Sequence, residues 1–256
     1  MTAITDIEAR KLDIGRVVGQ TFTVIGRQWL FMLALAVLAA VPGIVNLYAM
    51  SPRLAGSRAA TMFTSPVYWF DLLLGIFLAS YVAACLFYLV FSEVSGRSVS
   101  LAQVAGNGLR KFLPLFIVNL LSTLAIAFAS LLLIVPGILL GTAWCVAGPA
   151  SVAERIGVFA AFGRSAELTR NNRWRIFGLF VIWFVVLLII EAMIGALNAS
   201  VILAGGVFSS PSRLLGVVLV SAVTTILTYT GLGVLYADLR ELKEGVDGES
   251  LAAVFD

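Results

Sequence analysis

The chain has 256 residues, of which 61% are hydrophobic and 12% charged, and its mean hydropathy is +1.03. Soluble domains carry about 25% charged residues, so a water-soluble globule is excluded and the chain must lie in lipid. The net charge of +3 comes mostly from basic residues that flank hydrophobic segments, which argues against nucleic acid binding. There is no His, which excludes imidazole catalysis, haem ligation through His and His-based zinc sites.

Six segments are predicted to cross a bilayer, each crossing taking about 20 apolar residues. The clearest spans are 29–49, 67–91, 112–135, 174–198 and 214–237. Residues 112–153 carry no charge, and at about 63 Å of helix they suffice for two crossings. The breaker Val135-Pro136-Gly137 predicts a tight turn there, so the sixth span is 138–152, with a re-entrant segment as the alternative.

The distribution of Lys and Arg supports an even number of crossings. With six spans, 14 of the 17 basic residues fall on one side, in the N-terminal segment, the loops 92–111 and 153–173 with Arg175, and the tail 238–256. The other side holds Arg53, Arg58 and Arg213. Basic loops remain in the cytoplasm, so both termini are expected there, and we expect no cleavable signal peptide.

An internal repeat divides the chain into three modules. Apolar residues with helical spacing precede the first, third and fifth spans. These stripes are Ile14, Val17, Val18, Phe22 and Ile25; Leu101, Val104, Ala105, Leu109 and Phe112; and Phe159, Phe162 and Ala166. The predicted fold is therefore all-α, with six transmembrane helices as three hairpins, each preceded by a short amphipathic helix on the cytoplasmic side. These helices are expected in the headgroup plane; a cytoplasmic collar beneath the bundle and simple loops are the alternatives.

Two acidic residues within the spans are candidates for an intramembrane polar site. Asp71 lies one turn into the second span, and Glu191 lies about 25 Å along its helix from Trp174. A proton or cation site in a bundle cavity is one interpretation of Glu191. Bonding to a neighbouring hydroxyl, or reaching the outer surface, is the other.

A basic cluster follows the fourth span. It consists of Arg155, Arg164, Arg170, Arg173 and Arg175. These residues either bind anionic lipid headgroups or a protein partner, or they only fix the topology. Cys85 and Cys145 are expected to be small apolar helix residues rather than disulfide or metal ligands. No zinc, nucleophile-elbow or phosphate-loop motif is present, so no catalytic, cofactor-binding or metal site is predicted.

Two stretches, roughly 130–180 and 234–251, follow a pattern of bacterial membrane proteins. The residues that carry it are Pro136-Gly137, Trp144, Pro149, Ala150, Glu154, Ala161, Arg164, Ser165, Leu168, Thr169 and Trp174-Arg175, then Leu235 to Arg240, Glu244-Gly245 and Asp247. This pattern resembles the glycerophosphoryl diester phosphodiesterase membrane-domain family and related uncharacterised inner-membrane proteins. The resemblance implies the fold and a bacterial inner-membrane location. It does not imply hydrolysis, because in the hydrolysing members a separate soluble barrel supplies the His and carboxylates, and we expect no such barrel beside six spans here.

The functional hypothesis is a non-enzymatic envelope accessory or scaffold protein, with the lipid bilayer and a membrane protein as partners. The alternative is a small carrier for a lipid or amphipathic solute, because hairpins with Gly and Pro breaks are typical of transporters. An intramembrane enzyme is a third and weaker hypothesis. The oligomeric state is not predicted.

Overall fold

The computed structural model describes residues 11–50, 66–97, 99–154, 156–203 and 211–245, which form helices and no strands. In chain order the helices are α1 (Ile14–Ala39), α2 (Val41–Met50), α3 (Pro66–Val94), α4 (Leu101–Leu132), α5 (Ile134–Trp144), α6 (Ala147–Ala153), α7 (Val158–Leu168), α8 (Arg173–Leu203) and α9 (Pro211–Glu244). Local capping fixes two of the starts. The Asp13 carboxylate accepts from the first amides of α1, and Ser100 with Gln103 forms a capping box at α4.

Six helical stretches of the described chain are long and apolar enough to cross a membrane. They are Ile14–Ala39, Leu72–Val94, Leu101–Leu132, Ile134–Ala153, Arg173–Ala196 and Leu214–Glu244. This confirms the predicted fold class, an all-α polytopic membrane protein with six crossings.

The sequence predicts three separate short amphipathic helices, and the structure differs from that prediction in detail. The first meets its span at Gln28, whose non-helical backbone (φ −118°, ψ 21°) kinks α1 at the predicted boundary. The second continues through Pro114 into its span as α4. The boundary residue Lys111 is a good helix former, so the sequence contains nothing that ends α4 there. The third segment is a helix of its own, α7.

The first stripe packs against protein. Val17 and Val24 are buried, and α1 lies along α9. Phe22 is exposed. The first stripe therefore packs on the bundle rather than lying free in the headgroup plane. The collar, in which the amphipathic helices pack against one another, stays a prediction.

The turn between the third and fourth crossings lies at Leu133, whose backbone is extended. Pro136 instead occupies the first turn of α5, where a helix tolerates proline. A Cβ on Gly137 would collide with Ser130 of α4, so glycine allows the two helices to meet. The prediction of a turn at 135–137 was wrong by two to four residues, because these residues start the next helix.

The core lies at one end of the bundle, where α1 and α4 begin and α3 and α9 finish; we call it the charged end because polar networks surround it. Every residue from Val82 to Phe91 of α3 is buried, as are all seven of α6. Phe87 contacts Tyr229 with ring centroids 5.8 Å apart, and Phe91 contacts Tyr236 at 5.6 Å. Large apolar side chains are exposed on α4, α5 and α8, and these are the surfaces expected to face lipid.

Candidate functional site

Arg164 of α7 contacts three carboxylates at the charged end. Its Nε lies 2.9 Å from each carboxylate oxygen of Glu154. Its Nη1 lies 3.4 Å from Oε2 of Glu167, and its Nη2 pairs with Glu244. One guanidinium thus joins the end of α6, α7 and the last residue of α9.

Two residues of α9 complete this set of contacts. The hydroxyl of Tyr236 donates to Oε1 of Glu154 over 2.7 Å, and Nε of Arg240 donates to Oε2 of Glu244 over 2.9 Å. We call Glu154, Arg164, Glu167, Tyr236, Arg240 and Glu244 the Arg164 network. It fastens the end of α9 to the α6–α7 connection.

The pKa of Arg164 shows how these charges balance. Desolvation by itself lowers the pKa of its guanidinium. The hydrogen bond and charge of Glu154, with the charge of Glu167, together raise that pKa by more. The net pKa lies above its ordinary value, so Arg164 remains a cation at every physiological pH.

Two further arginines form three ion pairs that join other helices at the same end. Arg16 of α1 pairs with Asp238, and its Nη1 lies 3.3 Å from Oε1 of Glu241. Nη1 of Arg27 lies 3.1 Å from Oε1 of Glu93, and the two side chains form an ion pair. These contacts fix α1 against α9 and α3.

The fourth crossing is interrupted at Cys145–Val146, between α5 and α6. A break of this kind leaves the carbonyl of Ala143 without its usual helical donor. The hydroxyl of Ser165 donates to that oxygen over 2.8 Å. The hydroxyl of Thr169, which lies 2.9 Å from the Ser165 carbonyl, is a second and longer contact at 3.3 Å. Both hydroxyls are buried, so the face of α7 that they occupy stabilises the break.

The start of α8 is bound to the N-terminal segment. Asn172 accepts a hydrogen bond from the amide of Leu12 over 3.2 Å, and Nη1 of Arg175 donates to the Leu12 carbonyl over 2.6 Å. Asn171 has φ of 71°, a left-handed conformation that Asn tolerates better than most residues. The connection between α7 and α8 is thereby held against Leu12, which precedes α1.

The structure separates the members of the predicted basic cluster. Arg164 and Arg175 bind groups of their own chain, while Arg155 lies outside the described residues. Arg170 and Arg173 are exposed, and neither forms an ion pair within the described ranges. The lipid or partner contact therefore stays a prediction for Arg170 and Arg173 in particular.

Of the two predicted intramembrane acids, the structure describes the side chain of Glu191. Glu191 is exposed on α8, among the apolar side chains Leu188, Ile189 and Met193, which are also exposed. The backbone of Asp71 belongs to α3, but its side chain lies outside the described part of the chain. A role for either residue stays a prediction.

Among the clefts between the described helices, two bear on the predicted site residues. The larger, about 260 Å³, separates α5 from α8. Its lining consists of Val135, Ile138, Leu139, Thr142, Arg173, Trp174 and Phe177. The smaller, about 50 Å³, lies between α1, α8 and α9. Glu191 lines neither.

Glu93, Glu154, Glu167, Asp238, Glu241 and Glu244 at the charged end form ion pairs with arginines. Residues 11–50, 66–97, 99–154, 156–203 and 211–245 contain no group of three metal-ligating side chains. The sequence did not identify the Arg164 network as such. Its signals were the motif that contains Glu154, Arg164, Tyr236 and Glu244, and the acidic tail opposite a basic loop.

The family model described as "Domain of unknown function (DUF7847)" matches residues 14–242. The chain belongs to this family. The matched region of this DUF7847 protein contains all six crossings except the last two residues of α9, and all of the Arg164 network except Glu244.

A curated relative supports the membrane location. The chain is 31% identical over 110 residues to a UPF0259 membrane protein of Photorhabdus laumondii subsp. laumondii. The match covers 43% of each chain, so the DUF7847 chain spans less than half of that relative. No solved structure matches the chain.

Proposed function

We propose that this DUF7847 protein is a non-enzymatic protein of the bacterial inner membrane, acting as an envelope accessory or scaffold. The observation that carries the proposal is the pairing at the charged end, where Arg16, Arg27 and Arg164 each bind carboxylates of the same chain. Groups engaged in this way stabilise an arrangement of helices and are not free for proton transfer or nucleophilic attack.

The packing of the core agrees with this role. Phe87, Phe91, Tyr229 and Tyr236 fill the space between α3 and α9 with aromatic contacts. A carrier needs a solute path through its centre, commonly lined by polar groups at broken helices. The break between α5 and α6 has its freed carbonyl, that of Ala143, occupied by Ser165 with Thr169 beside it, which favours a fixed support over a moving gate.

The proposed orientation places both termini and the charged end in the cytoplasm. The support is the distribution of Lys and Arg, 14 of 17 on that side, which follows the positive-inside rule. The exposed residues Arg170 and Arg173 would then face the anionic inner leaflet or a partner protein.

We also propose kinship with the glycerophosphoryl diester phosphodiesterase membrane-domain family, limited to its membrane module. The motif residues Glu154, Arg164 and Tyr236 support this, because they contact one another in the Arg164 network. Phosphodiester hydrolysis is not part of the proposal, since none of these side chains is positioned as a free nucleophile or base.

The proposal is tested by reconstitution in liposomes of bacterial lipid. Lipid scrambling and proton flux are measured for the wild type, for Glu191→Gln and for protein-free vesicles, and all three are expected to give the same background rates. In membranes of the parent organism, deletion of the protein is expected to reduce assembly of a membrane complex on native gels. Robust turnover that Glu191→Gln abolishes would instead establish the carrier alternative.

A further inference from the structure

We propose that the cleft between α5 and α8 holds one acyl chain of an anionic phospholipid, with the lipid phosphate bound by Arg173. This inference goes beyond the accessory role and does not depend on it, because a transporter could hold such a lipid equally well. It assigns a specific binding site to one member of the basic cluster.

The walls of the cleft fit a hydrocarbon chain. Val135, Ile138 and Leu139 line it from α5, and Phe177 lines it from α8. Its volume of about 260 Å³ lies just below the roughly 300–1,000 Å³ of typical small-molecule sites. A single narrow chain therefore suits it better than a compact solute.

The only hydroxyl in the described lining belongs to Thr142, and it is already used. Its Oγ1 donates to the carbonyl of Leu139 over 2.9 Å, so the side chains of the wall between Val135 and Thr142 offer no free donor. A polar solute would lose its hydrogen bonds to water there without replacement, which is unfavourable. The occupant is therefore apolar along this wall.

The headgroup end is marked by Arg173 and Trp174. Arg173 is exposed and, unlike Arg164, has no ion-pair partner among the described residues. A guanidinium binds phosphate through two parallel hydrogen bonds. Trp174 is 83% exposed, and exposed Trp at a membrane boundary is typical of the headgroup level.

The helix terminus adds to this electrostatic preference. Arg173 is the first residue of α8, a helix of 31 residues. The amides of a helix's first turn lack helical acceptors and carry the positive end of its dipole. An anion at Arg173 would thus meet a side-chain cation and backbone donors together.

The test uses native mass spectrometry of the full chain released from nanodiscs of mixed phosphatidylglycerol and phosphatidylcholine. The wild type is expected to retain one phosphatidylglycerol per chain in preference to phosphatidylcholine. Arg173→Gln is expected to lower that retention about tenfold, the effect of losing a charge-assisted hydrogen bond. The matched control is Arg170→Gln, which removes an equal charge from the same segment outside the cleft and is expected to change retention less than twofold.

A second pair of variants tests the hydrocarbon part of the site. Leu139→Trp places bulk in the cleft and is expected to lower retention of both lipids, whereas Leu188→Trp, on the exposed face of α8, leaves retention unchanged. Circular dichroism and gel filtration establish that each variant folds. The comparison of phosphatidylglycerol with phosphatidylcholine retention uses the wild-type protein and does not depend on any variant.

Several results would overturn the proposal. Equal losses for Arg173→Gln and Arg170→Gln would indicate diffuse surface charge. Equal retention of the two lipids would exclude headgroup selection. Displacement of the lipid by inorganic phosphate would indicate a plain anion site, and no retained lipid in the wild type would exclude the site altogether.

Discussion

Arg164 binds carboxylates from three parts of the chain, ten, three and eighty positions away. Its side chain is 20% exposed and that of Glu154 is 16% exposed, so water compensates poorly for the loss of either partner. Removing one member of such a pair costs more than the pair contributes, because the remaining charge stays partly buried and unpaired.

Arg164→Gln is therefore expected to lower the free energy of unfolding by about 2–3 kcal/mol. The measurement is unfolding in mixed micelles of dodecylmaltoside and SDS. Arg170→Gln, which removes an exposed and unpaired charge, is the control and should change stability by less than about 0.5 kcal/mol. Equal destabilisation by the two variants would show that the Arg164 network contributes no specific stability.

Gly231 allows a second close contact, between α9 and α8. A Cβ at this position would lie inside the ring of Trp183. Gly231→Ala is expected to cost about 1–3 kcal/mol, as overpacking does. At Gly195 of α8 a Cβ meets no atom within 4 Å, so Gly195→Ala should be neutral or stabilising.

The same unfolding assay checks this contact. Combining Gly231→Ala with Trp183→Ala should cost less than the sum of the two single changes, because the smaller side chain removes the collision. Strict additivity would mean that the ring does not pack on Gly231.

At the scale of single residues, the sequence predicted which charges cluster but not which pairs form. The basic segment and the acidic tail could both be recognised from composition. The choice of Glu154 and Glu244 as partners of Arg164 depends on how α7 and α9 pack, which local sequence does not determine. Arg175 binds the Leu12 carbonyl whereas Arg173 stays exposed. This difference also depends on the tertiary structure and could not be predicted from the sequence.

Among the elements, the broken fourth crossing depends most on distant residues. The hydroxyls that bind the Ala143 carbonyl come from positions 22 and 26 residues later in the chain. A freed carbonyl inside a membrane bundle must find donors from neighbouring elements. The stability of the α5–α6 break is thus linked to the docking of α7.

Ser165→Ala and Thr169→Val are each expected to cost about 1 kcal/mol or less, because the other hydroxyl still serves the carbonyl. The double variant should cost about 2–3 kcal/mol, more than the sum, since the acceptor is then buried without a donor. Alkylation of the free thiol of Cys145, next to the break, should accelerate several-fold in the double variant only.

Ser122→Ala provides the control for these hydroxyl variants. Its hydroxyl donates within its own helix, to the Val118 carbonyl over 2.7 Å, and that carbonyl keeps its helical partner after the change. Additive single effects at Ser165 and Thr169, with unchanged Cys145 reactivity, would mean that the hydroxyls do not support the break.

The helical segments could be predicted from apolar periodicity, but their ends could not. Val135-Pro136-Gly137 contains the residues of a turn, yet proline is equally suited to a first helical turn, and the contact of Gly137 with Ser130 decides between the two. The continuity of α4 through Lys111 was missed for a related reason. A change from an amphipathic to an apolar pattern alters what surrounds a helix without ending it.

Across the whole molecule, composition and span length sufficed for the number of crossings. Lipid imposes one condition on every crossing, that its backbone bonds be satisfied within the protein, so the prediction did not depend on which helices touch. The position of the core at the charged end, with α3 and α6 at its centre, depends on helix contacts and was not predictable from hydropathy.

The six-crossing arrangement with its basic loops in the cytoplasm is tested most directly by labelling single cysteines in intact cells. In a background with Cys85 and Cys145 replaced by Ala, cysteines are introduced one at a time at Arg97, Arg170 and Arg53, and treated with a membrane-impermeant maleimide. Positions 97 and 170 should react only after the membrane is opened, and position 53 should react without opening. Labelling of 97 and 170 from opposite sides would contradict the even number of crossings between them and with it the proposed orientation.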